Sequence, residues 1–109
     1  MSFEIIPTPN FRAEAKKLSK KYFSFKDDIQ KVIESLVNNP TQGNEVFKNC
    51  YKVRFQIKSK NKGKSGGGRL VTFVLISEHK VYLLSVFDKS EMESVSDRKI
   101  KEILNTLDF

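Results

Sequence analysis

Residues 51–69 read YKVRFQIKSKNKGKSGGGR, and this stretch does most to decide the fold. In its first part, residues 51–58, apolar side chains alternate strictly with basic or amide ones. Because successive side chains of a β-strand point to opposite faces of a sheet, this alternation predicts a strand over 51–57 with one buried face and one basic face. The second part, residues 59–68, consists mainly of lysine and glycine without an apolar residue, which predicts a loop.

The same stretch carries the whole excess of positive charge. The formal net charge of the 109-residue chain is +7, from 20 basic and 13 acidic residues. Residues 51–69 hold seven basic residues and no acidic one, whereas residues 1–50 sum to +2 and residues 70–109 sum to −2. Such crowded charges repel one another within a Debye length of about 8 Å, so a bound anion would stabilise them. A solvated loop that confers solubility is the alternative; we favour a polyanion site, and nucleic acid is the polyanion we expect.

Upstream of this stretch, the pattern begins with a short strand and a helix. Residues 3–6 are expected to form the strand. A Thr8-Pro9 pair is typical of a helix start, with a capping hydroxyl before a proline in the first turn. Apolar residues then recur from Phe11 to Tyr22 at helical spacing, which places one apolar stripe on this helix.

A second apolar stripe runs from Phe25 to Val37 and predicts a second helix. Ser24 is a candidate N-cap, and acidic residues follow in the first turn, where the helix dipole favours negative charge. Residues 38–40 end the helix, and a turn region at 41–44 leads into the basic strand. The two helices are therefore expected to form an αα-hairpin with adjoining apolar faces.

Downstream, two apolar runs and a final helix complete the pattern. Leu70–Ile76 and Val81–Phe87 predict two strands, and Glu78–Lys80 between them is short enough for a hairpin turn. Ser96 is a candidate cap for a short C-terminal helix with one apolar side. The whole chain, residues 1–109, is thus expected to be one small α+β domain. It has an N-terminal strand and an αα-hairpin packed on an antiparallel β-sheet, with a short C-terminal helix.

Several other kinds of site are excluded or disfavoured by the sequence. The string Gly63-Lys64-Ser65 lacks the glycine that a phosphate-binding P-loop has five positions earlier, and a strand rather than a helix follows it. No cluster of His, Cys and carboxylate residues has metal-ligand spacing, so we expect no metal and no other cofactor. The single cysteine, Cys50, is expected to be a buried apolar residue. No stretch is long and apolar enough to cross a bilayer, and no secretory signal is recognisable, which predicts a cytoplasmic protein.

Three motifs together resemble one family. They are Tyr51-Lys-Val-Arg54, Gly63-Lys-Ser-Gly-Gly-Gly-Arg69 running into a strand, and Phe87-Asp-Lys-Ser-Glu91. In these motifs and in the order of its elements, over essentially the whole chain, the sequence is similar to the RelE/HigB branch of bacterial type II toxin–antitoxin toxins. This resemblance implies a RelE-like fold and a toxin that cleaves mRNA without a metal, commonly in the ribosomal A site. It also implies a cognate antitoxin as partner, with mRNA and the ribosome as targets.

The resemblance further implies roles for individual residues. Arg54 and Arg69 match the arginines assigned to the scissile phosphate, to which a guanidinium donates two parallel hydrogen bonds. Lys64 and Lys89 are the other catalytic candidates, and Lys64 shares with Lys52 a candidate role in backbone binding or proton transfer. The residues expected to bind RNA are Lys52, Lys58, Lys60, Lys62 and Phe87.

One departure from the family leaves alternatives open. From Phe87 to Phe109 the chain has neither the tyrosine nor the histidine that many relatives carry there, so the general base is unassigned and Asp88 and Glu91 are its candidates. The first alternative is a gyrase inhibitor like the ParE toxins, which the concentrated basic residues disfavour. The second is a non-catalytic basic RNA-binding protein or degenerate toxin. In each toxin case, an acidic or helical partner segment is expected to cover the basic surface or to hold the C-terminal helix closed.

Overall fold

The structure, a computed structural model, describes residues 2–107. In chain order its strands and α-helices are β1 (Glu4–Pro7), α1 (Pro9–Lys21), α2 (Phe25–Asn38), β2 (Asn44–Phe47), β3 (Cys50–Phe55), β4 (Gly68–Leu75), β5 (Lys80–Asp88) and α3 (Asp97–Leu104). The expectation of one domain over residues 1–109 extends to Met1, Asp108 and Phe109, which lie outside the described residues. Within the described part, no helix has the length and apolar character needed to span a membrane.

The strands form one sheet in the order β1-β5-β4-β3-β2. Consecutive strands from β2 to β5 pair antiparallel, whereas β1 lies parallel to β5, with Ile5 opposite Val81. Most of the fold, rather than a tight turn, connects β1 to β5, so a parallel pairing is open to them. The expected α+β class is confirmed, and the sheet is mixed rather than wholly antiparallel.

Side chains of α1 and of its N-cap bind backbone groups of β5 beyond the end of β1. The Thr8 hydroxyl donates to the Leu83 carbonyl oxygen at 2.8 Å, and it accepts from the Phe11 N–H as the N-cap of α1. Further along α1, the Glu14 carboxylate accepts from the Val86 N–H at 3.2 Å. Because buried backbone groups need partners, these contacts fix α1 across the edge of the sheet. The predicted helix start at Thr8-Pro9 is confirmed.

Apolar side chains cover both faces of the sheet. On one face, α1 and α2 cover a cluster that includes the fully buried Phe25 and Leu36. On the other face, α3 covers a smaller cluster that includes Leu84 and Ile100. Because both faces are covered, β4 and β5 read as nearly continuous apolar runs in the sequence.

The cap predicted for α2 is wrong. Ser24 precedes the helix, but its backbone is already helical, with φ of −84° and ψ of −7°, whereas a capping residue is usually extended. Its hydroxyl donates to the Asp28 carboxylate at 2.6 Å and hydrogen-bonds the Ser59 hydroxyl at 2.9 Å. Ser24 therefore ties the start of α2 to the loop after β3, which no local pattern indicates.

A second difference is β2, which begins at the end of the predicted turn region, residues 41–44. This strand has four residues and an irregular register against β3, so its sequence pattern is too short to detect. Asn49, with φ of 63°, makes the turn into β3, and asparagine tolerates this left-handed region better than most residues. β3 ends at Phe55, two residues before the predicted end, although Ile57 beyond it is fully buried.

Candidate nucleic-acid interface

Three of the residues singled out in the sequence form a row across the central strands. Arg54 on β3 is directly opposite Arg69 on β4, and Arg69 is directly opposite Phe87 on β5. Directly opposed residues of antiparallel strands project to the same face, with Cβ atoms about 4.5–5.5 Å apart. This is the face that α3 covers in part, because Phe87 packs in the cluster around Ile100. The strand register thus brings together two arginines that are well separated in the sequence.

Arg69 holds the glycine-rich loop closed from the inside, and it is only 3% exposed. Its Nη1 donates to the carbonyl oxygens of Lys64 and Gly68, both at 2.9 Å, and its Nη2 donates to that of Ser65 at 3.1 Å. These bonds occupy three of the five N–H donors of a guanidinium and fix the side chain within the loop. Burial first, and the charge of Arg54 second, lower the pKa of Arg69.

The glycines of this loop serve its packing. A Cβ on Gly67 would lie 2.3 Å from the Phe55 carbonyl oxygen, and one on Gly68 would lie 2.3 Å from the Phe55 ring. Only glycine fits at so close an approach. Gly63, with φ of 63°, has open space around it. The sequence predicts that glycines admit a ligand to the backbone, but at positions 67 and 68 the group that approaches is Phe55.

Further charges surround the two arginines. The half-buried Lys52 precedes Arg54 by two residues on β3 and so lies on the same face. Lys89 follows β5, and its ammonium contacts the Glu93 carboxylate at 2.8 Å. This hydrogen bond above all, and then the charges of Lys89, Lys52 and Arg69, lower the pKa of Glu93. We call Lys52, Arg54, Arg69 and Lys89 the basic face. Sequence reasoning missed Glu93, whose only signal is its spacing of four from Lys89.

Phe87 belongs to the core rather than to an RNA surface. The residue is 5% exposed and packs in the same cluster as Val95 and Ile100. Because stacking on a base requires an accessible ring, this placement does not fit the predicted RNA-binding role. We therefore reassign Phe87 to the support of the basic face.

Lys60 is also drawn into the interior. Its Nζ contacts the Asp88 carboxylate at 2.5 Å, and the two side chains are 7% and 0% exposed. The same carboxylate accepts from the Tyr22 hydroxyl at 2.5 Å and from the Ser90 hydroxyl at 2.8 Å. We call Tyr22, Lys60, Asp88 and Ser90 the Asp88 cluster. Because an internally paired cation is not available to RNA, the predicted RNA-binding role of Lys60 gives way to a structural one.

The Asp88 cluster also removes a candidate for the general base. Burial by itself raises the pKa of Asp88, but hydrogen bonds from Lys60, Tyr22 and Ser90 outweigh it and hold that pKa well below its usual range. A carboxylate stabilised in this way is a poor proton acceptor. The other candidate, Glu91, forms an ion pair with the last residue of α1 and is engaged there.

The remaining predicted lysines lie on the loop side of β3. Lys58 and Lys64 are exposed and line one groove together with Arg54. The backbone N–H of Lys58 donates to the buried Asp28 carboxylate at 3.0 Å, which fixes the start of the loop. Lys62 is exposed at the loop tip. Among residues 2–107, none of these three lysines forms an ion pair.

Other features of the molecule are separate from this surface. A groove of about 500 Å³ between α1 and α2 is lined by apolar residues such as Phe11 and Ile29, and no predicted site residue lies in it. Within residues 2–107, no group of three or more His, Cys, Asp or Glu residues could hold a metal ion. Burial raises the pKa of the Cys50 thiol to about 12, in keeping with an unreactive buried side chain.

Comparison with known proteins bears on the fold. No family model matches the sequence. A double arginine mutant of the E. coli toxin RelE in its free state matches with a TM-score of 0.64 and 16% identity, over 98% of this chain and 99% of that one. A crystal structure of the isolated E. coli RelE toxin matches with a TM-score of 0.57 and 18% identity, over 97% of this chain and 100% of that one. The protein therefore has the fold of the RelE toxin, and the RelE-like fold predicted from the sequence is confirmed.

Proposed function

We propose that the protein is the toxin of a toxin–antitoxin pair, an endoribonuclease that cleaves ribosome-bound mRNA in the cytoplasm without a metal. Two findings support this proposal: the solved structures that share its fold are described as toxins, and its basic face sets Arg54 against Arg69. The arginine pair carries the argument. Like charges directly opposite one another destabilise a sheet, so the presence of this pair favours an anionic ligand that offsets the repulsion.

RNA cleavage without a metal makes demands that this surface fits. The 2′-oxygen gives up its proton and attacks the adjacent phosphorus, while the bond from phosphorus to the 5′-oxygen breaks and that oxygen takes up a proton. Negative charge builds on the non-bridging phosphate oxygens as this happens. We assign the exposed Arg54 to those oxygens, because its planar guanidinium donates two parallel hydrogen bonds to a phosphate.

The other members of the basic face act around Arg54. Arg69 contributes its positive charge from behind Arg54, while it keeps the loop in place. Lys89 and Lys64 neutralise further charge at either side. Lys52 binds the RNA backbone or carries a proton, since no tyrosine or histidine follows Phe87 to take that role.

A non-catalytic RNA-binding protein is the second candidate. The burial of Arg69 favours it, because a guanidinium that spends three donors on loop carbonyls is less available to a transition state than a free one. Under this hypothesis the basic face binds RNA equally well but leaves it intact. If the protein instead inhibits gyrase, as the ParE toxins do, its expression should stop replication before translation.

Purified protein incubated with ribosomes and a defined mRNA distinguishes these functions. Cleavage, mapped by primer extension, is expected for the wild type, and Arg54→Ala should slow it about a hundredfold, equivalent to the ~3 kcal/mol lost with one transition-state donor. Arg98→Ala is the matched control, because Arg98 lies on α3 with its side chain 91% exposed. Full activity of Arg54→Ala would overturn the assignment, and intact mRNA with bound wild-type protein would favour the non-catalytic candidate.

The antitoxin is part of the proposal. A basic face with two opposed arginines would be neutralised best by an acidic segment laid across it. Co-expression with such a partner should restore growth that the free protein arrests.

A further inference from the structure

A groove of about 350 Å³ runs along the outer edge of β3, beside α2. Because β2 begins opposite Lys52 and pairs with β3 only from there back to Cys50, the rest of β3 has no neighbouring strand on this side in the described part of the chain. Four cationic side chains line the groove: Lys31 on α2, Arg54 on β3, and Lys58 and Lys64 from the loop that follows. We call it the edge groove.

The charges of the edge groove are largely uncompensated. Among the described residues, none of its four cations forms an ion pair. Asp28 is the acidic residue of the lining, and its buried carboxylate already accepts from the Ser24 hydroxyl at 2.6 Å and from the Lys58 N–H at 3.0 Å. Four cations less one carboxylate leave the lining with a charge of +3.

Lys31 on α2 and Lys58 in the loop after β3 line the edge groove together. The neighbouring Lys58 side chain, and then its charge, lowers the pKa of Lys31, although the charges of Asp28 and Asp27 offset part of this effect. Two neighbouring ammonium groups repel unless an anion lies between them. A phosphate suits this position, because its several oxygens accept hydrogen bonds from both ammonium groups at once.

We propose that the edge groove binds one backbone phosphate of an RNA strand between Lys31 and Lys58. This inference rests on the proposed function, since the strand is the one whose scissile phosphate lies at Arg54. Arg54 connects the two places, because it lines the edge groove and also opposes Arg69 on the basic face. An RNA strand that crosses the edge of the sheet at Arg54 passes from the basic face into the edge groove. Lys31, which no sequence motif indicates, is then a substrate-positioning residue.

Binding of a 2′-O-methyl RNA oligonucleotide tests this proposal, because such an RNA has no free 2′-hydroxyl and is not cleaved. Fluorescence anisotropy of the labelled oligonucleotide gives its dissociation constant for the full chain. Lys31→Gln and Lys58→Gln should each weaken binding about tenfold, as expected for a lost charge-assisted hydrogen bond. Because both lysines share one phosphate, the double variant should fall well short of the roughly hundredfold product. For the double variant, the slope of log affinity against log salt concentration should be shallower by about 0.7, because one phosphate contact is lost.

Lys26→Gln is the matched control, because Lys26 is an exposed lysine of the same helix that lines the groove between α1 and α2 instead. It should change affinity less than about twofold, and Lys31→Arg should keep most of the binding. The shared phosphate site would be overturned by equal losses of RNA affinity in Lys31→Gln and Lys26→Gln. It would also be overturned if the double variant lost affinity by the full product of the two single losses. If the wild type does not bind the oligonucleotide, or binds it and Lys31→Gln has no effect, this inference fails. The proposed function fails separately, if ribosome-bound mRNA stays intact in the assay described above.

Discussion

Arg54 and Lys60 belong to the same basic stretch of the sequence, and the fold treats them in opposite ways. Lys60 is buried against Asp88, in a cluster where hydrogen bonds satisfy the rest of the carboxylate. Arg54 is exposed and opposes a second arginine. In the first arrangement the charges are paired within the folded chain, whereas Arg54 forms no ion pair among residues 2–107. The density of positive charge therefore identifies the basic segment in the sequence. Ion pairing in the folded chain determines which of its residues are structural and which are available to a ligand.

The largest expected effect comes from breaking the paired arrangement. Asp88→Asn removes the carboxylate and leaves the Lys60 ammonium buried without its counter-charge, which should lower the free energy of unfolding by about 3–5 kcal/mol. Urea denaturation at neutral pH measures this change. Glu91→Gln is the control, because Glu91 pairs with an exposed lysine and should contribute little. Equal stability of the two variants would show that the Asp88 cluster is not structural.

The same cluster should make stability depend on pH in a defined direction. Its hydrogen bonds hold the pKa of Asp88 below the ordinary value of 3.8, so the folded state binds this proton less readily than the unfolded state. The stabilisation is therefore complete above about pH 4–5 and is lost as the pH falls through the folded-state pKa. Urea midpoints measured from pH 7 to pH 2 should fall steeply for the wild type. Asp88→Asn should show a shallower decline in that acidic range.

Replacement of the buried arginine should loosen the glycine-rich loop. Arg69→Lys keeps the positive charge but cannot reproduce three hydrogen bonds to carbonyls in a fixed fork, so about 2 kcal/mol of local stability should be lost. Hydrogen exchange should quicken at the Gly67 N–H, which donates to the Lys64 carbonyl oxygen at 3.2 Å. Exchange in α2 serves as the internal control. An unchanged loop would mean that the glycines close it without Arg69.

The smallest expected effect concerns the negative charge on the basic face. Glu93→Gln removes a carboxylate that lies near Lys52 and Arg69 and pairs with Lys89. Affinity for RNA should rise roughly twofold, more at low salt than at high salt, because the group is exposed and screened. Cleavage should persist in this variant. A complete loss of cleavage with unchanged binding would instead make Glu93 the missing proton acceptor.

The elements that sequence reasoning predicts correctly are those with local causes. The alternation of β3 follows from its two-residue period. The start of α3 follows from Ser96, whose hydroxyl accepts from the Lys99 N–H as predicted for a cap. Ser24 has the same chemistry as Ser96, yet its hydroxyl binds Ser59, a residue far along the chain. A serine before a helix therefore acts as a cap in one case and links two distant segments in the other. Which role it takes depends on residues that are far away in the sequence.

The candidate site was predictable only in part, because local sequence patterns do not show contacts between residues that are distant in the chain. The basic stretch and its arginines are visible in composition and motif. Lys31 and Glu93 are not, since one reaches the site from α2 and the other from the irregular segment after β5. The predicted role of Lys60 is wrong because its partner, Asp88, lies at the end of β5, two strands further along the chain.

By itself, the amino-acid sequence determined the helices and strands with regular periods, the caps of α1 and α3, and the place where positive charge accumulates. The tertiary structure alone decided which of those charges are neutralised, because the partners of Lys60 and Arg54 are set by strand register and by how the loop packs. A shift of one residue in the register of β3 against β4 would move Arg54 to the opposite face and dissolve the arginine pair.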